Sequence, residues 1–222
     1  MSEILPIKQR ALGDKVAGEL RRLIITGRYA PGTSLVEGHL AEQFDLSRGP
    51  IRDALKILAF EGLIDTNRRS ATVVGLGGDD IDELFSLRGS LERLALEIGL
   101  NKDRSRLIDG LRVPLEQMRR AREERDPDAF TAADVRFHSV FYDVAGHRRL
   151  ADVWAQYRPT IEVLLLASNE RYEDLGPSVR AHEVLARLIE SGEPEAVFDE
   201  LRAHLDNARL RLRAPYTQTP SH

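Results

Sequence analysis

Four side chains that commonly bind transition metals fall on apolar faces of predicted helices. They are Asp134, His138, His182 and His204. A polar group that faces a hydrophobic interior without a partner is costly, so each of these side chains requires a partner inside the protein. Three imidazoles and one carboxylate suit zinc, nickel, iron, cobalt or manganese, and affinity order alone does not choose among these metals. The sequence therefore predicts a buried site for a divalent transition metal.

The first two of these residues share one predicted helix, over 128–145. Asp134 and His138 are four positions apart, and side chains at that spacing lie on the same face of a helix. Phenylalanines recur at helical spacing around them, which makes this face apolar. A hydrogen-bonded pair on one helix is the simpler alternative to metal binding.

The other two residues lie on two predicted helices that form a helical hairpin. Gly192 is a typical helix stop and Pro194 a typical first helical residue. His182 precedes Gly192 by ten residues and His204 follows Glu193 by eleven. At a rise of about 1.5 Å per residue, the two imidazoles lie at nearly the same level across the hairpin, and we expect them to meet. Core histidines satisfied by other partners are the alternative, but four inward-facing ligands together favour a metal.

The N-terminal part of the chain has the element order of a winged helix-turn-helix, predicted for 7–75. Helical patterning covers 7–26, 36–44 and 48–60, and the β-prone segments 63–66 and 72–75 flank a short hairpin with a basic tip. The helix-turn-helix itself spans about 36–58. Ser47 as N-cap and Pro50 in the first turn predict where the third helix begins.

Basic residues recur every four positions on this third helix, away from its apolar stripe. Such a helix can enter the major groove, where arginine reads guanine and a glycine allows close approach to the phosphate backbone. Basic residues at the hairpin tip can reach phosphates or the minor groove. The predicted DNA-binding residues are Arg48, Gly49, Arg52 and Lys56 of the helix and Arg68 and Arg69 of the tip. An ordinary solvated helix face is the alternative.

Three glycines within 75–78 resist helix and strand alike, and they predict a linker over 76–80. An all-helical domain is predicted for 81–213, with helices over 80–100, 104–124, 128–145, 148–168, 178–190 and 194–213. Pro114 and Pro159 should kink or break their helices. The tail over 214–222 is predicted to be disordered. The fold class is therefore mainly α, with a winged helix-turn-helix followed by a helical bundle.

Composition agrees with two domains in one intracellular protein. The chain has 222 residues, 42% of them hydrophobic, no cysteine and a net charge of −4. No apolar run is long enough to cross a bilayer and no signal pattern opens the chain, so we expect a cytoplasmic protein with no membrane partner. The N-terminal part carries a slight excess of Lys and Arg, whereas the remainder is acidic, which favours the N-terminal part as the one that faces DNA.

The chain resembles GntR-type transcriptional regulators of the FadR subfamily, whose C-terminal ligand-binding domain is called FCD. The N-terminal resemblance rests on LRRLIITG at 20–27, APGTSLVE at 30–37, LAE at 40–42, SRGPIRDAL at 47–55 and EGLI at 61–64. The C-terminal resemblance rests on LFSLRGSLE at 84–92, DVRFH at 134–138, AHEVL at 181–185 and AHL at 203–205. Together these segments extend over nearly the whole chain.

The resemblance implies a homodimer, usually a repressor, that binds operator DNA and whose helical domain binds a small carboxylate effector at or near a metal. It implies that the four ligands predicted above hold that metal. Arg88 matches a frequent arginine of the family and could bind the effector carboxylate, or it could pair with Glu92, its neighbour four positions on. Gly49 stands where the family usually has Thr, and Gly38 where it has a polar residue, so operator recognition is expected to differ.

Two other functions are compatible with the predicted ligands. A helical metalloenzyme could use open coordination positions to activate water, but catalysis needs a general acid or base within reach. Glu183 follows His182 directly and points about 100° away, so no catalytic partner is evident. A purely structural metal would instead stabilise the helical domain. We expect a regulator without enzymatic activity, and a ligand-induced change in operator affinity distinguishes a sensor from a structural site.

Overall fold

The computed structural model describes residues 7–66 and 70–215, with side chains from residue 12 onward. The chain divides between Leu76 and Gly77 into two compact units. In the described residues, the first unit contains three helices and a small sheet, and the second contains five helices. The predicted mainly α fold class is confirmed. No helix in the described ranges is long and apolar enough to cross a membrane.

The N-terminal unit is built from helices that pack apolar stripes against each other. Its elements are α1 (Ile7–Ile25), β1 (Ser34–Leu35), α2 (Glu37–Gln43), α3 (Arg48–Phe60), β2 (Ile64–Asp65) and β3 (Ala71–Val73). Leu20 of α1 and Ile51 and Leu58 of α3 are completely buried in one shared core. An almost fully buried ion pair, Arg21 with Glu61 at 2.6 Å, ties α1 to the residue after α3. The core therefore fixes α3 while its other face stays exposed.

A three-stranded antiparallel sheet completes this unit, with β3 in the centre. Leu35 of β1 lies opposite Ala71, and Ile64 of β2 lies opposite Val73. All four side chains are buried against the helices. The sequence did not predict β1, because a two-residue strand has no periodicity to detect. The predicted basic tip, 67–69, lies outside the described residues.

The turn between α2 and α3 sets the start of the exposed helix. Asp45 adopts a left-handed conformation with φ of 50°, which Asp tolerates better than most residues. Ser47 is the N-cap residue of α3 and is extended, although its hydroxyl makes no capping hydrogen bond. Pro50 is buried in the first turn, where a proline costs no helical hydrogen bond.

The second unit is a bundle of long helices. Its elements are α4 (Gly78–Glu124), α5 (Pro127–Ala145), α6 (Arg148–Asn169), α7 (Gly176–Ser191) and α8 (Pro194–Arg213). The two helices predicted over 80–100 and 104–124 form one element, α4, which is interrupted at Asp103 with φ of −159° and ψ of 79°. Because α4 begins at Gly78, three residues of the predicted linker are helical.

Both helices continue through their internal prolines, Pro114 and Pro159, so of the expected kink or break, the break does not occur. A proline inside a helix costs about 3 kcal/mol relative to alanine. Pro114 is itself buried. Tertiary packing therefore outweighs the local cost at this position.

Helix α5 runs through the middle of the bundle because it is apolar on most sides. Phe130, Phe137, Phe141 and Tyr142 are among the largest fully buried side chains. Helix α4 lies close against α5, since a Cβ added at Gly110 would come within 2.7 Å of Val140. This central position carries the polar residues of α5 into the interior.

The N-cap of α5 gives a first testable prediction. The Asp126 side chain accepts a hydrogen bond of 2.9 Å from the Ala129 backbone N–H, which would otherwise lack a helical partner. We expect Asp126→Ala to lower the unfolding free energy of the second unit by about 1 kcal/mol. Denaturant unfolding of the purified variant measures the effect, and Glu123→Ala, at an exposed position in the last turns of α4, serves as control. An unchanged transition midpoint in Asp126→Ala would contradict the capping role.

Candidate metal centre and DNA-binding helix

Three imidazoles meet in the centre of the second unit. His138 comes from α5, His182 from α7 and His204 from α8, and a ligand nitrogen of each lies within 4.8 Å of the others. Their exposed fractions are 0%, 1% and 8%. The ring centroids of His182 and His204 are 4.4 Å apart, so the two residues meet across the hairpin as expected from the sequence.

Asp134 adds a carboxylate at the edge of this cluster. Its two oxygens lie 3.7 Å from Nε2 of His138 and 3.7 Å from Nε2 of His182. Asp134 is 5% exposed and sits one helical turn before His138, as its spacing required. The structure therefore brings all four predicted ligands together, with the three imidazoles forming the tightest group.

The Nδ1 nitrogens of His138 and His182 lie beside hydrogen-bond acceptors. Nδ1 of His182 lies 2.8 Å from the Ser178 carbonyl oxygen, and Nδ1 of His138 lies 2.7 Å from Oε2 of Glu92. A carbonyl oxygen only accepts, as does an ionised carboxylate, so each Nδ1 carries the proton and each Nε2 presents its lone pair to the cluster. This is the tautomer that binds a metal through Nε2, and metal-bound histidines are commonly held in this way.

Nε2 of His182 is a buried nitrogen without a hydrogen-bond partner in the part of the chain that the structure describes. A buried acceptor of this kind is costly unless something binds it. A ligand nitrogen of His182 lies within 4.8 Å of one from each of the other two histidines, and its Nε2 lies 3.7 Å from Asp134. The residues present therefore fit a transition metal that takes nitrogen and oxygen ligands.

The pKa shifts of His138, His204 and Asp134 favour the forms of these three side chains that bind a metal. Burial lowers the pKa of His138 despite the nearby Glu92, and burial together with the neighbouring His182 and His138 lowers the pKa of His204 well below its ordinary value. Burial opposes ionisation of Asp134, yet His182, His138 and Arg88 outweigh it and hold the pKa of this carboxyl well below its usual range. Neutral imidazoles and an ionised carboxylate are the forms that bind metals.

A buried ion pair supports the cluster from α4. Nε of Arg88 donates to Oε1 of Glu92 at 2.6 Å, and the two side chains are 2% and 0% exposed. Glu92 thus links Arg88 to His138. The structure forms the intrahelical pair that was one of the two alternatives for Arg88. Glu92 was not predicted as part of the site, because its contact with His138 spans 46 positions. Its position on the buried face of α4 was the signal that could have indicated it.

Two aromatic side chains, Tyr142 and Trp154, lie beside this ion pair. The rings of Tyr142 and Trp154 stack with centroids 5.0 Å apart, and the Arg88 guanidinium carbon lies 5.9 Å from the Trp154 ring centroid. The buried Tyr142 hydroxyl has no hydrogen-bond partner among the residues described. Burial, followed by the charge of Glu92, raises the pKa of Tyr142, so its hydroxyl stays protonated and is available as a donor.

The contact between Glu92 and His138 gives a second prediction. Glu92→Gln keeps an oxygen that can accept from Nδ1 of His138 but removes the charge, so we expect metal affinity to fall by about tenfold. Competition with a chromophoric chelator measures this affinity, and nitrogen NMR of the metal-depleted protein reports which nitrogen of His138 is protonated. Glu97→Gln, at an exposed position of the same helix, is the control. An unchanged affinity in Glu92→Gln would show that Glu92 does not position the ligand.

The predicted DNA-binding residues of α3 all lie on its exposed face. They are Arg48, Gly49, Arg52 and Lys56. The residues Pro50, Ile51, Ala54, Leu55 and Leu58 form the buried face. Nε of Arg52 lies 2.8 Å from Glu37 of α2, and Lys56 lies 3.5 Å from Asp53. Ion pairs this exposed are weak, so these cations can exchange them for phosphates or bases. Arg68 and Arg69 lie outside the described residues.

Comparison with known proteins extends over both units. The model for bacterial regulatory proteins of the gntR family matches 12–74, and the FCD domain model matches 83–207. The gluconate operon transcriptional repressor of Bacillus licheniformis is 32% identical over 211 residues, which cover 93% of this chain and 87% of that protein. The repressor of the same name from Bacillus subtilis is 31% identical with the same coverage.

Solved structures show the same fold. E. coli McbR/YncC matches with a TM-score of 0.72 at 21% identity, covering 92% of this chain and 98% of that one. A structure described as a metal-free FCD domain matches with a TM-score of 0.57 at 21% identity, covering 65% of this chain and 99% of that one. The two family models and the curated relatives establish that this chain belongs to the GntR family of bacterial regulatory proteins, with an FCD domain, and is a transcriptional regulator, not an enzyme.

Proposed function

We propose that this protein is a cytoplasmic, homodimeric repressor whose affinity for operator DNA changes when a small carboxylate binds at or near a divalent transition metal in the second unit. The observation that carries the metal-dependent part is the convergence of three buried imidazole nitrogens with no partner for Nε2 of His182 in the described residues. Family membership supports the regulatory part.

Asp134, His138, His182 and His204 would hold the metal. Zinc, nickel, iron, cobalt and manganese all accept such ligands, and the donor set alone leaves the choice among them open. The bound ion would supply a concentrated positive charge to which a carboxylate can bind. Glu92 and the Ser178 carbonyl hold two of the imidazoles in the required tautomer and orientation.

The effector would contact Arg88 and Tyr142 in addition to the metal. Arg88 uses Nε for Glu92, and a guanidinium carries further N–H donors in a planar fork that suits a carboxylate. The Tyr142 hydroxyl is a buried donor without an acceptor among the described side chains. Because two of the curated relatives, at 32% and 31% identity, are named gluconate operon repressors, D-gluconate is the first carboxylate to test.

The recognition helix α3 would enter the major groove of the operator. Arg48, Arg52 and Lys56 are exposed there, and Gly49 leaves room for the phosphate backbone near the helix N-terminus. Arg68 and Arg69 would contact phosphates or the minor groove. A dimer would present two such helices to two half-sites, which matches the two-fold symmetry of most operators.

Isothermal calorimetry with untagged protein tests the sensor proposal directly. Protein is depleted of metal, reloaded with zinc, nickel or manganese, and titrated with D-gluconate. We expect measurable carboxylate binding in at least one metal-loaded form and its loss after depletion. Tight metal binding with no carboxylate binding in any form would instead support a structural metal.

A further inference from the structure

A groove of about 630 Å³ lies between residues 82–93 of α4 and residues 198–209 of α8, and is called here the α4–α8 groove. A contact crosses the groove at each end. Arg209 donates to Asp82 at 2.6 Å at one end, and the guanidinium carbon of Arg93 lies 4.3 Å from the centroid of the Phe198 ring at the other. Asp82 and Arg93 are about 16 Å apart along the helix. The length and volume of the groove are those of a site for a small metabolite.

The groove is open because α4 has small residues between these two contacts. Ser86, Gly89 and Ser90 line it there, and a Cβ added at Gly89 would lie 3.8 Å from the Leu205 side chain, at ordinary van der Waals distance. The groove is also lined by apolar side chains that are buried in the bundle, namely Phe85, Leu201 and Leu205. A ligand can therefore bury a hydrocarbon part against these side chains.

Two arginines give one half of the groove a positive charge. Arg93 packs on the Phe198 ring and makes no ion pair with any of the described residues. Arg202 pairs with Asp199 of its own helix, and the two side chains are 74% and 71% exposed. An ion pair this exposed is weak, so Arg202 can exchange it for an anionic ligand.

The other half of the groove does not offer such a cation. Arg209 contacts the carboxylates of both Asp82 and Asp206, so its charge is already balanced. The asymmetry between the two halves sets the orientation of a bound anion. Its charged group would lie toward Arg93 and Arg202, whose planar guanidiniums suit a carboxylate or a phosphate.

We propose that the α4–α8 groove binds a small organic anion, with its carboxylate or phosphate on Arg93 and Arg202 and its apolar body on the buried leucines. None of the described residues that line the groove is a candidate metal ligand. The groove is therefore a second ligand site, separate from the metal centre. Helix α8 belongs to both sites, because it carries His204 to the metal centre and the adjacent Leu205 to the groove.

Methyl NMR of full-length, metal-loaded protein tests this site residue by residue. Phenylacetate and phenyl phosphate are titrated to millimolar concentration, with benzyl alcohol as the uncharged comparison. We expect at least one of the two anions to shift the Leu201 and Leu205 methyl signals to saturation, and benzyl alcohol to leave them nearly unchanged. The relative affinity of the two anions shows whether the groove prefers a carboxylate or a phosphate. Failure of both anions to shift these signals would overturn the proposal and leave the metal-dependent sensor intact.

Two variants test the roles of the charge and of the open groove. Arg93→Gln should weaken the binding of the anion by about tenfold or more, because it removes a charged hydrogen-bond donor. Arg112→Gln, at an exposed position on the later part of α4, is the matched control. Gly89→Leu fills the groove and should abolish binding, whereas unchanged methyl signals elsewhere and unchanged metal affinity show that each variant is folded. Wild-type affinity in both Arg93→Gln and Gly89→Leu would contradict the proposal.

Removal of the metal separates this site from the proposed metal-dependent sensor. Because no candidate metal ligand lines the groove, we expect the anion to bind equally well in metal-depleted protein and in His182→Ala. Loss of the methyl shifts in both would assign the anion to the metal centre and overturn the second site. Retained shifts in a protein whose operator binding ignores every carboxylate would refute the sensor and leave the groove site standing.

Discussion

Replacement of His182 by alanine is expected to lower metal affinity by more than about 100-fold. Loss of a residue that only supports a ligand typically costs 10- to 100-fold, and His182 contributes a ligand nitrogen itself. Nδ1 of His182 donates to the Ser178 carbonyl oxygen, and Nε2 lies 3.7 Å from Asp134, so the substitution removes a ligand that is already oriented toward the cluster. Chelator competition measures the affinity, and metal analysis of the purified variant gives its occupancy.

The same substitution should abolish the effect of a carboxylate on operator binding while leaving operator affinity in metal-depleted protein unchanged. The recognition helix belongs to the other compact unit, so loss of an imidazole in the bundle does not remove it. His39→Ala, at an exposed histidine of α2, is the control and should keep wild-type metal affinity. If His182→Ala retains its metal, the proposed coordination is wrong. If it loses the metal and still responds to carboxylate, the metal is not part of the sensor.

The double variant Arg48→Ala and Arg52→Ala is expected to weaken specific operator binding by on the order of 100-fold or more. Each arginine that reads a base typically contributes about 1–3 kcal/mol. Both side chains are exposed on α3, and Arg52 must exchange only a weak, exposed pairing with Glu37. Fluorescence anisotropy with operator DNA at fixed salt measures the loss.

Metal and carboxylate binding should be unaffected by this double variant, because its residues belong to the first unit. Arg202→Ala removes a charge at an exposed position of α8 and should retain wild-type operator affinity. If the double variant binds operator as tightly as the wild type, α3 is not the recognition helix.

Local pattern was sufficient to predict most of the fold. Helical periodicity, Gly192 and Pro194 located the hairpin of α7 and α8, and the level of His182 and His204 followed from counting residues. The features of the fold that were not predicted are those that no local sequence pattern encodes. Strand β1 is too short to show a pattern, and the continuation of α4 through Pro114 depends on burial that no local rule reports.

The prediction of the candidate site from the sequence was limited in the same way. Inward-facing polar residues on apolar stripes indicated Asp134 and the three histidines, because one sequence can show which face of a helix is buried. Glu92 was missed as the partner of His138, and Glu37 as the partner of Arg52, since these contacts join residues 46 and 15 positions apart. Contacts between elements depend on tertiary packing, which single-helix periodicity does not encode.

Operator binding measured with and without metal and carboxylate shows whether this protein is a metal-dependent sensor. Untagged protein is titrated onto the DNA upstream of its own gene, in metal-depleted and metal-loaded forms, each with and without D-gluconate and related carboxylates, at defined salt. We expect a carboxylate to shift operator affinity by about 5- to 150-fold in the metal-loaded protein and to have no effect after depletion. An equal shift in metal-depleted protein would contradict a metal-dependent sensor.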